Sequence, residues 1–227
     1  MNSEDYSSSK GLPMAIDLDH IFILTHPGAA LADSVADVGL IEGSCNTHPG
    51  QGTANRRFFF ANTTLEFLYV RDAMEAENGP GSRLRFVERA ASLNASPFGL
   101  IVRSANETEA DIHFPGWKYY PDYFNGQYRF HVGENSDKFE EPLCICMPIN
   151  LPQRKKMPKP ENPDWVLTEL RIAVPVSEPS ETLVEIANCD GVSIRLNKPH
   201  RMELVFNEGR AGMLKDFSPE LPMAISW

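Results

Sequence analysis

One order of segments starts three times along this chain, and that repetition limits the folds open to it more than any single residue does. The apolar word AIDLDHIFILT (15–25) is rich in β-branched and large apolar residues and predicts a strand. It is followed by AALADSVADVG, where Leu31, Val35 and Val38 recur at helical spacing and Gly39 stands where a helix would stop. ANRRFFFAN and TTLEFLYVR then predict strands separated by a turn at Asn62, after a short segment from Gly39 to Ser44 and the loop HPGQG. SPFGLIVRS (96–104) restarts the order, with a helix start at the Ser104/Glu107 capping box and strands at QYRFHV and PLCICMPI. VLTELRIAVP starts it again, before the helical SETLVEIANC, the strands GVSIRLN and HRMELVF, and a closing LPMAISW. A further helix is expected from Ser82 to Ala91.

The expected architecture is therefore α+β, built from repeated βαβββ modules. The divisions fall at a disordered tail over 1–14, two modules over 15–148, a linker over 149–165 and a third, partial module over 166–227. Prolines at 152, 158, 160 and 163 mark the linker, because proline denies the backbone both helix and ladder hydrogen bonds. Overlaying the first and third modules on LDHIFILT/LTELRIAV and TLEFLYV/MELVF puts His20 on Glu169 and Glu66 on Glu203.

The 227 residues are 42% hydrophobic, enough for a sizeable core. With 31 acidic against 21 basic residues the formal charge is −10, which repels phosphate backbones and argues against nucleic acid as a partner. No apolar run approaches the roughly 20 residues that span a bilayer, and the N-terminus lacks the pattern of a secretory signal, so no membrane partner is expected. The four cysteines, at 45, 144, 146 and 189, have neither zinc-site spacing nor disulfide density, and a cytoplasmic setting is expected.

Glu66 is the residue that asks for chemistry. It lies within the apolar TLEFLYV, and a strand keeps a carboxylate at such a place when it faces water, a cation or a donor. Read from the residues alone, Glu66 is a group bonded to Arg56 or Arg57 across the hairpin, and His20 a core histidine. His48, in the Gly-rich loop, either shapes the turn or serves a site, while Gly50 and Gly52 supply positive φ or close approach. Asn55 and Arg57 flank the strand that would enter such a site, where Arg57 either clamps a substrate carboxylate or is a solvated edge charge. PGWKYYPDYF (115–124) carries five aromatics in ten residues, suited to core packing or to the wall of an apolar pocket.

DHIFILTHPG, HPGQGTANRRFFF and LEFLYV together resemble the glyoxalase-like domain of the vicinal oxygen chelate superfamily, over roughly residues 16–150. That resemblance implies paired βαβββ modules whose curled sheets enclose a cup (the glyoxalase/bleomycin-resistance/dihydroxybiphenyl dioxygenase arrangement). In metal-using members one ligand is a His on the first strand of a module and another a Glu on its last strand, which match His20 and Glu66 here. The resemblance thus implies a divalent metal (Fe, Mn, Ni or Zn), and a lyase, isomerase or dioxygenase acting on a small oxygenated organic substrate. Glu66 and His48 would be the catalytic groups and Asn55 and Arg57 the substrate-binding ones. The second module departs from the pattern, with Phe98 or Gly99 at the His position and Cys144 near the Glu position. Replacement ligands would be His48, His131, Glu169 or Glu203. The alternatives are a metal-free protein of the same fold that sequesters a small molecule, and a subunit that uses the fold as an interaction surface. Paired modules can come from one chain or two, so a homodimer is compatible with the pattern.

Overall fold

The computed structural model describes residues 5–6 (backbone only), 16–104, 114–148 and 160–227. The expected capping box at Ser104/Glu107, most of the 1–14 tail and residues 149–159 of the expected linker fall outside these. In chain order the strands are β1 Asp5–Tyr6, β2 Ile16–Thr25, β3 Asn46–His48, β4 Thr53–Phe59, β5 Thr64–Val70, β6 Phe98–Ser104, β7 Gly116–Tyr119, β8 Phe130–Gly133, β9 Leu143–Cys146, β10 Leu167–Ala173, β11 Val192–Arg195, β12 Arg201–Phe206, β13 Leu214–Asp216 and β14 Met223–Ser226. The helices α1 Leu31–Ala36, α2 Ala73–Asn78, α3 Phe86–Ala91 and α4 Glu181–Ile186 have six residues each, so the chain is mostly β. None of the described helices is long and apolar enough to cross a membrane.

The strands make two sheets. One curls into a half-barrel in the order β3-β4-β5-β2-β6-β9-β8-β7, and the other is mixed, in the order β1-β11-β10-β12-β14-β13. The two follow one pairing rule. In the half-barrel the antiparallel pair β2·β6 sits at the centre, each member flanked by a parallel neighbour, β5 or β9, and then an antiparallel one, β4 or β8. In the mixed sheet β10·β12 is the central antiparallel pair, flanked by parallel β11 and β14 and then by antiparallel β1 and β13. The mixed sheet thus repeats the half-barrel with one strand fewer on each side.

This pairing corrects the sequence overlay. β12 holds the place of a first strand, not a last one, so Glu203 is not the counterpart of Glu66. The register that sets Phe22 beside Glu66 sets Arg171 beside Ser193, and Ser193 is the counterpart. The match of His20 with Glu169 holds, because the register shifts just before each, between Leu18 and His20 and between Leu167 and Glu169. An extra residue in one strand reverses which face the following side chains take. Leu18 therefore packs into the convex-side core beside the register of Val102, whereas His20 pairs with Ile101 on the concave side. Leu18 and His20, two positions apart, thus lie on opposite faces across this bulge.

One core joins the sheets. On the convex side Ile21, Ile23, Leu65, Phe67, Leu100 and Val102 meet α1, α4 and the inner face of the mixed sheet, including Leu170, Ile172, Leu204 and Ile225. The end of the expected linker belongs to this joint: buried Asn162 donates to the carbonyls of Ile41 and Phe59 at 2.9 and 3.2 Å and accepts from Ile41 N at 2.8 Å. Asp5–Tyr6, within the expected tail, lies antiparallel to β11. The helix expected over Ser82–Ala91 is broken at Arg85, whose φ of +58° ends a short turn and begins α3.

Candidate functional site

Alternation along the half-barrel sorts its residues into two kinds of surface. On the concave face, β6 to β9 present an apolar half: Ile101, Leu143, Ile145, Val132, Tyr119 and, partly buried, Phe130. Leu84, in the turn before α3, and Phe86, the first residue of α3, pack into the same cluster, and the Phe86 ring meets Phe22 edge-on at 6.0 Å. The polar half lies on β3, β4 and β5, where the register aligns His48 with Thr53, Asn46 with Asn55, and Arg57 with Glu66.

Glu66 is held by Asn55, whose Nδ2 donates to Oε2 at 2.9 Å, while Asn55 Oδ1 accepts from Asn46 N at 2.9 Å. Asn55 is buried, so the pair is fixed from below. Arg56 points the other way, gripping Glu42 and Asp33 on the convex side. Arg57 faces Glu66 in the register, but its guanidinium donates to Ser44 O at 2.7 Å and lies over the Phe59 ring at 4.8 Å. His20 sits at the start of the same face with Nδ1 2.7 Å from Asp19 Oδ1. Asn55, which the sequence reading does not pair with Glu66, is thus a hydrogen-bond partner of its carboxylate.

His48 bonds Thr53 Oγ1 through Nδ1 at 2.9 Å, and its ring lies 5.8 Å from that of Tyr123. Burial pushes its pKa down. Glu66 opposes that shift, whereas Arg57 and His20 add to it, so the four side chains share one neighbourhood. Burial likewise raises the Tyr123 phenol, with Glu66 among the causes. Gly52 makes the loop possible. Its φ is +69°, and a Cβ there would lie 2.4 Å from Ala76 N and Asp72 O.

The other candidates lie elsewhere. His131 bonds Phe114 O at 3.0 Å and packs against the Phe114 ring. Cys144 and Cys146 point into the convex-side core, where burial lifts both thiols to about 12. Glu169 and Glu203 pair with Arg171 and Arg201 in the mixed sheet. Among the described residues no three His, Cys, Asp or Glu side chains group as a metal site. The residues missed from sequence are Gln51, Thr53, Tyr119 and Tyr123, and the aromatic run 115–124 was the available signal for the last two.

Burial also lowers the pKa of His131 and His200, as it does for His48. A group with a depressed folded pKa binds its proton less readily in the folded state, so stability should be fully present above the ordinary value of 6.5 and fall as pH drops below it. Urea midpoints measured on both sides of that value should show the fall, and His131→Gln should flatten part of it. A midpoint that rises on acidification would contradict this account.

No protein-family model matches the chain, and no curated protein matches it. Among solved structures it is similar to the crystal structure of a hypothetical protein from Staphylococcus aureus, with a TM-score of 0.56 and 11% identity, covering 94% of this chain and 99% of that one. The likeness extends over both sheets and concerns the fold alone.

Proposed function

We propose that this chain is a glyoxalase-like protein of the vicinal oxygen chelate kind, with the half-barrel read as two paired βαβββ modules, and that it takes a small oxygenated organic molecule on its concave face. The observation carrying this reading is the Asn55-fixed carboxylate of Glu66, set among His48, Arg57 and His20 beside an apolar half. A molecule with a hydroxyl or carbonyl end and an apolar body matches that division. Glu66 accepts a hydrogen bond or a proton from the polar end, and His48 completes the pair acting on it.

A metal centre with three protein ligands does not fit the described residues, and no step here depends on one. One observation favours a second reading with a divalent ion (Fe, Mn, Ni or Zn) on His20 and Glu66. The Asp19 carboxylate on His20 Nδ1 is the kind of outer partner that orients metal-bound histidines. With the ion the class would be a lyase, isomerase or dioxygenase, and without it a binding protein that sequesters its ligand.

The test is a thermal-shift screen of small hydroxy and keto compounds on wild type, Glu66→Gln and His20→Ala, with elemental analysis of each protein. A hydrogen bond to a charged group contributes about 1.5–3 kcal/mol, so Glu66→Gln should weaken a hit roughly tenfold to a hundredfold. The ligand-free midpoint should change little. Equal affinity in wild type and Glu66→Gln would remove the reading, whereas about one ion per chain, lost in both variants, would select the metal version.

A further inference from the structure

The two edges of the half-barrel are far apart in strand order, β3 at one end and β7 at the other, yet side chains connect them. Tyr119 Oη, on β7, donates to Gln51 Oε1 at 3.2 Å. Gln51 Nε2 donates to Thr53 Oγ1 at 2.8 Å, and Thr53 Oγ1 lies 2.9 Å from His48 Nδ1. Tyr119, Gln51 and Thr53 are 2%, 7% and 1% exposed, so bulk water is not available to complete their hydrogen bonding.

Two proton arrangements satisfy the inner bonds of this chain. In one, every donor points toward His48: phenol to amide oxygen, amide to hydroxyl oxygen, hydroxyl to Nδ1. In the other the amide is turned, every donor points away, and His48 Nδ1–H donates to Thr53. The Tyr119 end decides between them. With the donors pointing away, the phenol hydrogen would need a second acceptor, and Tyr119 Oη has none among the described residues. Buried hydroxyl groups are rarely left so. With the donors pointing inward each hydroxyl hydrogen has its acceptor, and bonds aligned in one direction reinforce one another.

We propose that Tyr119, Gln51 and Thr53 are positioning residues that hold His48 as a neutral imidazole with its proton on Nε2, so that the ring gives a hydrogen bond to a ligand oxygen instead of taking a proton. This rests on the concave face being the ligand site. Nε2 has no protein partner among the described residues and is not among the sealed polar atoms, so it is the ring's remaining donor. The ligand class narrows to molecules presenting an acceptor oxygen, a carbonyl above all, toward His48, with Glu66 as the accepting group of the pair. A neutral imidazole of this kind can polarise a carbonyl. Protonating Nδ1 would make the Thr53 hydroxyl turn away and leave its hydrogen unpaired, which works in the same direction as the burial of the ring.

Nitrogen NMR of the imidazole rings in the ligand-free full chain tests this, with His48 assigned by the resonances lost in His48→Asn. Wild type should show Nδ1 as the unprotonated and Nε2 as the protonated nitrogen through neutral pH. Thr53→Val removes the last donor and should give a mixture of tautomers, Thr53→Ser should restore the single form, and Tyr119→Phe should also give a mixture by removing the end that sets the direction. A proton on Nδ1 in wild type, a charged ring at neutral pH, or a tautomer unchanged in both Thr53→Val and Tyr119→Phe would overturn the proposal. Should Thr53→Val fail to fold, the wild-type spectrum and Tyr119→Phe still decide. Because no ligand is present, these outcomes are separate from the compound screen: a screen without hits counts against the ligand site and leaves the tautomer result standing.

Discussion

Glu141→Ala should cost about 3–5 kcal/mol of folding stability, because it leaves buried donors without their acceptor at about 1–3 kcal/mol each. Glu141 is completely buried, in the connection between β8 and β9. Oε1 accepts from Ser180 N at 2.8 Å, and Oε2 accepts from Ser180 Oγ at 2.5 Å and Asn135 Nδ2 at 3.1 Å. Ser180 is in turn the cap of α4, its Oγ accepting from Leu183 N at 3.1 Å. One carboxylate therefore ties the half-barrel to the helix of the mixed sheet. Alanine strands three donors and loosens the cap, whereas Glu141→Gln keeps the volume and sets an amide N–H against a donor, a loss of about 1–3 kcal/mol. Urea unfolding with linear extrapolation measures both. An alanine variant within about 1 kcal/mol of wild type would show that the carboxylate is not this tie.

Phe206→Ala should cost a similar amount, about 3–5 kcal/mol, through the cavity it leaves. Phe206 is fully buried, with its ring 4.6 Å from Phe60 and 5.3 Å from Trp165, where the two sheets meet. Since one core serves both sheets, the variant should unfold at lower urea in a single step. Tryptophan fluorescence, dominated on this side by Trp165 and Trp227, and far-ultraviolet circular dichroism should give coincident curves. Separated curves would mean that the sheets unfold independently and that residues 160–165 are a passive tether.

Segments with strong alternation were legible in the sequence. IDLDHIFILT, TLEFLYV, FGLIVRS and RMELVF all form the strands their apolar content predicts, and α1 and α4 arise where apolar spacing and a stop or cap coincide. β7 was hidden because GWKY is part of an aromatic run without period, and β13 because LKD is exposed at a sheet edge and carries no pattern. α2 was missed because AMEAEN buries only Ala76; its signal was Asp72, which accepts from Glu75 N at 3.0 Å as a cap. In the site, Glu66 announced itself by breaking an apolar strand. Its partner Asn55 could not be ranked above Arg56 and Arg57, because that choice depends on hairpin register. The tie between Gln51 and Tyr119 spans 68 positions and follows only from the curl of the sheet. The bulge after Leu18 was invisible for a related reason, since an extra residue in a strand leaves the composition unchanged.

The half-barrel strands carry the shared core on one face and the polar and apolar halves of the candidate site on the other, so successive residues along a strand serve different surfaces. Along β5, Leu65 and Phe67 keep the sheets together while Glu66 and Leu68 face the cup. Substitutions at alternate positions of β4, β5 and β9 can then accumulate on the concave side with little effect on the joint between the sheets, because sites without shared partners contribute nearly independently. Such a chain can change along one face of its strands while its fold persists.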